Sequence, residues 1–285
     1  MMIALQNEQQ KILRLLGRVQ FASIDLIHKM TATERKPRST YYLLHEIENK
    51  TGLITHKVFY TKNKQALGTS YALTSSGAAY VAELEGWDID SVYFPQGGIG
   101  YEFQDHFHRE ACALFLAYFW RWIEAAPDTA VSRWSAYWKK ADGSRYPTNR
   151  VEVKGLERPI IPDWVLRFQH GEKGRLVAVE IDRTTGRARL LERVQQYAQA
   201  IDTQAISDRF NHPRAPFVLL VTETNERMAQ LVEDIQAGKA GRTFIQDYFA
   251  NFHLSTLPEL EKHGLAGAFS MLDGSCSPLF PETDI

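Results

Sequence analysis

The run Leu176-Val177-Ala178-Val179-Glu180-Ile181-Asp182 sets two carboxylates at the end of an apolar, β-branched segment. Such a segment reads as a buried strand, and it commits the region around it to a sheet-centred core. Strand alternation puts Glu180 and Asp182 on one face and Val179 and Ile181 on the other. Residues 160–168 read as the preceding strand, with a turn at His170-Gly171-Glu172-Lys173-Gly174, so a hairpin brings Asp163 near Glu180. Carboxylates held that close repel one another unless a cation or a proton lies between them. Asp163, Glu180 and Asp182 are therefore candidate ligands for Mg2+ or Mn2+, an ion that would polarise a phosphodiester and acidify an attacking water. The alternative is an exposed strand face whose acids pair with Arg183 or Arg187.

The surroundings of this hairpin predict a layered α/β (α+β) domain. A helix is expected from Phe103 to about Glu124, with His106, His108 and Glu110 near its start, and a strand over Val131–Trp138. The connection from Lys139 to Arg158 is basic. Beyond the hairpin, the spacing predicts a helix over Arg187–Ile201, on which Arg193 and Tyr197 stand one turn apart. A buried strand over Pro216–Thr222 and helices over Glu226–Ala237 and about Arg242–Phe249 follow. The stretch from Leu254 onward gives no clear periodicity.

The first 85 residues carry a different pattern. Ile12, Leu13, Leu15 and Leu16 mark one helix, closed by Gly17, and Ser23 is an N-cap candidate for a second with Ile24, Leu26, Ile27 and Met30 on its buried face. A third helix is expected over Pro37–Asn49, with Leu43, Leu44 and Ile47 recurring on one side. Arg35, Lys36, Arg38, Ser39, Thr40 and Tyr42 lie ahead of that apolar side. Cations and hydroxyls in the first turns of a helix can reach phosphates and base edges while the later turns hold the core. Two strands then flank a polar tip containing Lys62 and Lys64, and Thr74 caps a closing helix to about Glu85. Three helices, a basic third-helix start and a basic hairpin tip in this order predict a winged helix-turn-helix that binds double-stranded DNA.

Charge supports that division. Residues 1–85 hold 11 Lys and Arg against 7 Asp and Glu, while the rest hold 22 against 27, out of 33 and 34 in the whole chain. Gly86 to Gly100 breaks every periodicity, so the expected organisation is residues 1–86, a linker at 87–100, and residues 101–285. Two distant cysteines, Cys112 and Cys276, offer neither a disulfide framework nor a zinc-finger spacing, and point to a reducing, cytoplasmic setting. The apolar run Ala111–Trp120 is interrupted by Arg121 too early for a membrane span, so no membrane association is expected.

The order helix, strand, strand, strand, helix, strand resembles the αβββαβ core of PD-(D/E)xK nucleases, with Pro162-Asp163 and Glu180-Ile181-Asp182 in the motif positions. Asp182 stands where that motif carries lysine. The whole chain, over roughly residues 8 to 256, is similar to the plasmid replication-relaxation family and the related MOBC-type mobilization relaxases. Those proteins join a winged helix to a degenerate nuclease-like domain with an E-x-D pattern, a following Thr, and a helix bearing a basic residue and a Tyr. The matching positions are Glu180, Asp182, Thr184 or Thr185, Arg193 and Tyr197, with His106 or His108 as the first-helix histidine. The resemblance also covers Phe217 to Arg227. It implies duplex DNA at a transfer or replication origin as partner, other mobilization proteins as further partners, and metal-dependent nicking. The same fold without catalysis implies an accessory factor or transcriptional repressor.

Overall fold

The computed structural model describes residues 5–31, 36–95, 99–100, 105–126, 128–140, 146–183, 186–239, 245–265 and 268–280. The protein is mixed α/β and falls into two compact units, Met1–Trp120 and Arg121–Ile285. The division lies inside one long helix, His106–Ala125. No described helix is long and apolar enough to cross a membrane.

In the first unit the order is α1 (Asn7–Val19), β1 (Ala22–Ser23), α2 (Ile24–Thr31), α3 (Pro37–Thr51), β2 (Ile54–Tyr60), β3 (Ala66–Leu73) and α4 (Ser75–Glu85). The strands form an antiparallel sheet in the order β1-β3-β2. Local chemistry sets the helix ends. The Ser23 hydroxyl accepts the Leu26 N–H at the start of α2. Pro37 occupies the first turn of α3, and Gly52 ends that helix in the left-handed region at φ 65°. Thr74 accepts the Gly77 N–H at the start of α4. Leu13, Leu16, Ile27, Leu44, Ile47 and Val81 close the core among these helices.

Residues 87–93 pack against this unit. The Tyr93 N–H donates to the Gly17 carbonyl at 3.0 Å, Val92 and Tyr93 are buried, and Trp87 lies 6.1 Å from Trp120. A Cβ at Gly17 would stand 3.3 Å from Val92 and 3.0 Å from Val81, so this turn of α1 is close-packed. The helix His106–Ala125 is α5. Glu110, on α5, is largely buried and accepts from the Ser70 hydroxyl at 3.4 Å. Burial pushes its carboxyl up to about 7, only partly offset by the hydroxyls of Ser23 and Ser70. A carboxyl raised on folding contributes stability at acid pH that is lost as pH rises through about 7. Glu110→Gln is therefore expected to raise the melting temperature relative to wild type at pH 8 and to narrow that gap at pH 5. Equal gaps at both values would show that Glu110 ionises freely.

The second unit is built on the sheet β10-β9-β8-β7-β6-β5-β4. Its strands are β4 (Thr129–Ala136), β5 (Trp164–His170), β6 (Lys173–Asp182), β7 (Phe217–Thr222), β8 (Phe252–Thr256), β9 (Ala268–Met271) and β10 (Cys276–Pro278). The pairs β6–β7 and β7–β8 are parallel and the others antiparallel. The described helices of this unit include α6 (Arg187–Asp202), α7 (Ala205–Arg209), α8 (Asn225–Gln236) and α9 (Leu257–His263). The element order α5-β4-β5-β6-α6-β7 contains the expected helix, three strands, helix, strand succession, with the short α7 added before β7. Leu176 to Asp182 are buried throughout, as the apolar run requires. The two-residue turn between β5 and β6 uses Gly171 at φ 54°. Strands β9 and β10, and the end of β8, lie in the C-terminal stretch from Leu254 that shows no sequence periodicity.

Candidate functional site

Two groups of residues meet the chemistry expected of the chain, one in each unit. In the first unit, Lys36 and Arg38 are exposed at the start of α3, and Tyr42 follows one turn later with 54% of its surface open. Arg38 lies over the Tyr42 ring at 5.5 Å and its Nε donates to the phenol oxygen at 3.0 Å. That pairing holds a guanidinium along the outer face of the helix. Tyr41 is equally open and belongs to the same face, which sequence reasoning passed over. Its spacing of three from Arg38 is the signal that would have found it. Lys62 and Lys64 are exposed at the tip between β2 and β3, where Lys64 adopts φ 59° and its N–H donates to the Thr61 carbonyl.

Ser39 is half-buried, and Thr40 is a correction to the expected DNA-contacting set. Thr40 is fully buried, with its hydroxyl 2.9 Å from His28 Nδ1 on α2. It shares the inward face of α3 with Leu44 and Ile47, four and seven residues on. Its role is to lock α3 onto α2. Arg35 lies outside the described residues. His106, a candidate catalytic histidine, is also a packing residue. Its ring is 3% exposed and stacks on Phe59 at 4.8 Å, and a Cβ at Gly68 would stand 2.7 Å from its Nε2. His108 sits one turn away from Cys112, its Nε2 3.7 Å from Cys112 Sγ.

In the second unit the acids gather at the carboxyl end of β6. Asp163 immediately precedes β5, and its Oδ2 accepts the Ile181 N–H at 2.7 Å. The Asp163 N–H in turn donates to the Val179 carbonyl, so this side chain prolongs the β5–β6 ladder. Glu180 faces α6 as alternation demands. Its Oε2 accepts the Tyr197 phenol proton at 2.9 Å and its Oε1 lies 3.1 Å from Arg193 Nε. Arg193 and Tyr197, one turn apart on α6, therefore grip the two oxygens of one carboxylate. Arg193 also donates to Gln196 at 3.0 Å.

The electrostatics follow from that grip. Burial disfavours the Arg193 cation, but Glu180, Tyr197 and Asp163 more than compensate and hold its pKa above the ordinary value. Burial raises the Tyr197 phenol well above its usual range, and the Glu180 charge raises it further. A phenol so placed stays protonated at neutral pH and serves as a donor. Tyr197 is also fully buried within the core formed with Leu190, Val194 and Leu220.

Asp182 is turned to a different partner. Its Oδ2 lies 3.3 Å from both Nε and Nη2 of Arg227, in the first turn of α8. Among the described residues, Asp163, Glu180 and Asp182 do not bring an oxygen each within 4.8 Å of one another, so the expected three-acid cage is not assembled. The alternation that puts Glu180 and Asp182 on one face also separates them along the strand. Thr184 and Thr185 lie outside the described residues. From the basic connection, Arg150 pairs with Glu152, and Arg209 reaches back to the carbonyls of Thr148 and Arg150 at 2.9 and 3.1 Å.

No family model matches the chain, and no curated protein matches it. Among solved structures it is similar to the restriction endonuclease FokI bound to DNA, at 11% identity and a TM-score of 0.25. That similarity covers 90% of this chain and 68% of the other, and is too low to bear on fold or function.

Proposed function

We propose that the chain is a sequence-specific binder of double-stranded DNA in plasmid or integrative-element mobilization or replication, and that its second unit nicks one strand. The observation that carries the DNA-binding half is the open array of Lys36, Arg38 and Tyr42 on α3 with Lys62 and Lys64 on the adjoining hairpin tip. On this reading residues 1–86 act as a winged helix-turn-helix. Helix α3 enters the major groove, and the two lysines follow the flanking backbone. The protein works in the cytoplasm on a transfer or replication origin, with other mobilization proteins as further partners.

The nicking half rests on Asp163 and Glu180. Two carboxylates, completed by water and phosphate oxygens, are an ordinary donor set for Mg2+ or Mn2+. The bound ion would supply Lewis acidity toward the phosphodiester and a more acidic water. Arg193, held charged beside Glu180, neutralises the phosphate as negative charge accumulates. Tyr197 orients Glu180, and Asp182 stands by on Arg227. A second reading, a non-catalytic accessory factor or repressor, is favoured by the arginine partners already on Glu180 and Asp182.

Supercoiled plasmid carrying the cognate origin, incubated with protein and either metal, separates the two readings. Open circles support the enzyme, whereas intact gel-shift binding without nicking under either metal supports the accessory factor. Arg38→Ala and Lys64→Ala are each expected to weaken duplex binding about fivefold and to lower the salt slope by roughly one. Unchanged binding in both would remove the winged-helix assignment.

A further inference from the structure

We propose that Arg175, Arg214 and His253 form a binding site for a phosphate group in the second unit, at the start of the parallel strands. The site lies about 17 Å along β6 from Glu180 and does not depend on the nicking reading.

The parallel register of β6, β7 and β8 builds it. Phe217 stands opposite Val177, and His253 opposite Leu219. Alternation then puts Arg175, Phe217 and His253 in one row across three strands, on the face turned away from Glu180 and α6. The contacts match that placement. The Arg175 guanidinium lies over the Phe217 ring at 4.9 Å, and the His253 ring meets the same ring edge-on at 5.3 Å. Arg214 is carried in by the turn ahead of β7. Its carbonyl accepts the Ser207 hydroxyl at 3.0 Å and its N–H donates to His212 Nδ1 at 3.3 Å, so its backbone is fixed while the residue stays exposed.

These cations lack an anion. Among the described residues neither Arg175 nor Arg214 forms an ion pair, and Arg175 Nε and His253 Nδ1 are both closed to solvent without a hydrogen-bond partner. Burial and the Arg214 charge both hold the Arg175 guanidinium below its ordinary value. Burial pushes the His253 imidazole down to about 4, opposed by the Asn251 backbone and helped by the Arg175 charge. A half-buried guanidinium beside a second cation is unfavourable on its own, and a bound phosphate reverses the sign of both interactions. The fork of Nε and Nη suits two phosphate oxygens. A carboxylate would fit the fork but offset only one of the two cations, whereas a phosphate dianion offsets both. His253, neutral at pH 7, adds hydrogen-bonding capacity without adding to the repulsion.

The test is titration of the full-length protein with inorganic phosphate, followed by calorimetry and by the His253 ring resonances in nuclear magnetic resonance. Binding is expected to saturate, to move the His253 resonances, and to weaken at least about tenfold in Arg175→Gln and about threefold in the exposed Arg214→Gln. Arg175→Lys, which keeps the charge but not the fork, should recover only part of the loss. Side chains that merely pack the sheet would change stability in these variants and leave phosphate binding as it was. Absence of saturable binding, binding that leaves His253 unmoved, or wild-type affinity in both Arg175→Gln and Arg214→Gln overturns the proposal. Gel-shift titration of duplex DNA then identifies the source of the phosphate. A salt slope lowered by about one in Arg175→Gln assigns the site to the DNA backbone, and an unchanged slope with weakened phosphate binding assigns it to a free phosphorylated small molecule. Either result supports the phosphate site.

Discussion

Glu180→Ala is expected to abolish nicking of supercoiled DNA, by at least about a hundredfold, while duplex binding stays within about twofold of wild type. Glu180 touches both functional side chains of α6, through Tyr197 on one oxygen and Arg193 on the other. Its removal takes away a proposed metal ligand and frees Arg193 from its position in the same step. The Ala variant also leaves a buried phenol and a largely buried guanidinium without their shared acceptor, so its stability must be checked alongside. Glu180→Gln retains the shape and an acceptor oxygen, and is expected to be nearly as inactive with a smaller loss of stability. Nicking by Glu180→Gln at the wild-type rate would place the chemistry elsewhere.

The largest loss of stability is expected at Tyr197. This side chain is fully buried against the sheet, and Tyr197→Ala should cost about 3–5 kcal/mol through the lost burial and the cavity left behind. Tyr197→Phe keeps the packing and loses only the bond to Glu180, at about 1–3 kcal/mol for a buried acceptor deprived of its donor. Urea unfolding of both variants gives these values. The same pair settles the chemical role of the phenol. A protonated, inaccessible tyrosine orients Glu180, so Tyr197→Phe should nick within about tenfold of wild type and leave no protein-linked DNA difference. Complete loss of nicking in Tyr197→Phe, with covalent protein–DNA product in wild type, would make it a nucleophile instead.

Local patterns carried most of the first unit. The apolar spacings of α1, α2 and α3, the caps at Ser23 and Thr74, and the Lys62–Lys64 tip all follow from neighbours within a few residues. Thr40 was misplaced by composition, because a hydroxyl among cations reads as a phosphate contact; its spacing to Leu44 and Ile47 shows the inward face. Residues 87–93 contain no helical or strand period, yet Val92 and Tyr93 are buried by contacts more than seventy residues away in sequence, which no local pattern reports. In the second unit, alternation along β6 put Glu180 and Asp182 on one face, and helical spacing put Arg193 beside Tyr197. The Asp182–Arg227 pair was hidden because it depends on the parallel register of β6 and β7. Strand β8 was missed for a related reason, since a short strand buried on both faces has no alternation to read.

On the proposed function, α3 and the Lys62–Lys64 tip read a duplex sequence. Selection from a random pool of DNA duplexes, followed by footprinting of the enriched fragment, tests it directly. One enriched sequence is expected, protected across a single major-groove face, with enrichment lost in Arg38→Ala combined with Lys64→Ala. Recovery of an unselected pool, or an enriched site that the double variant binds as well as wild type does, would contradict it.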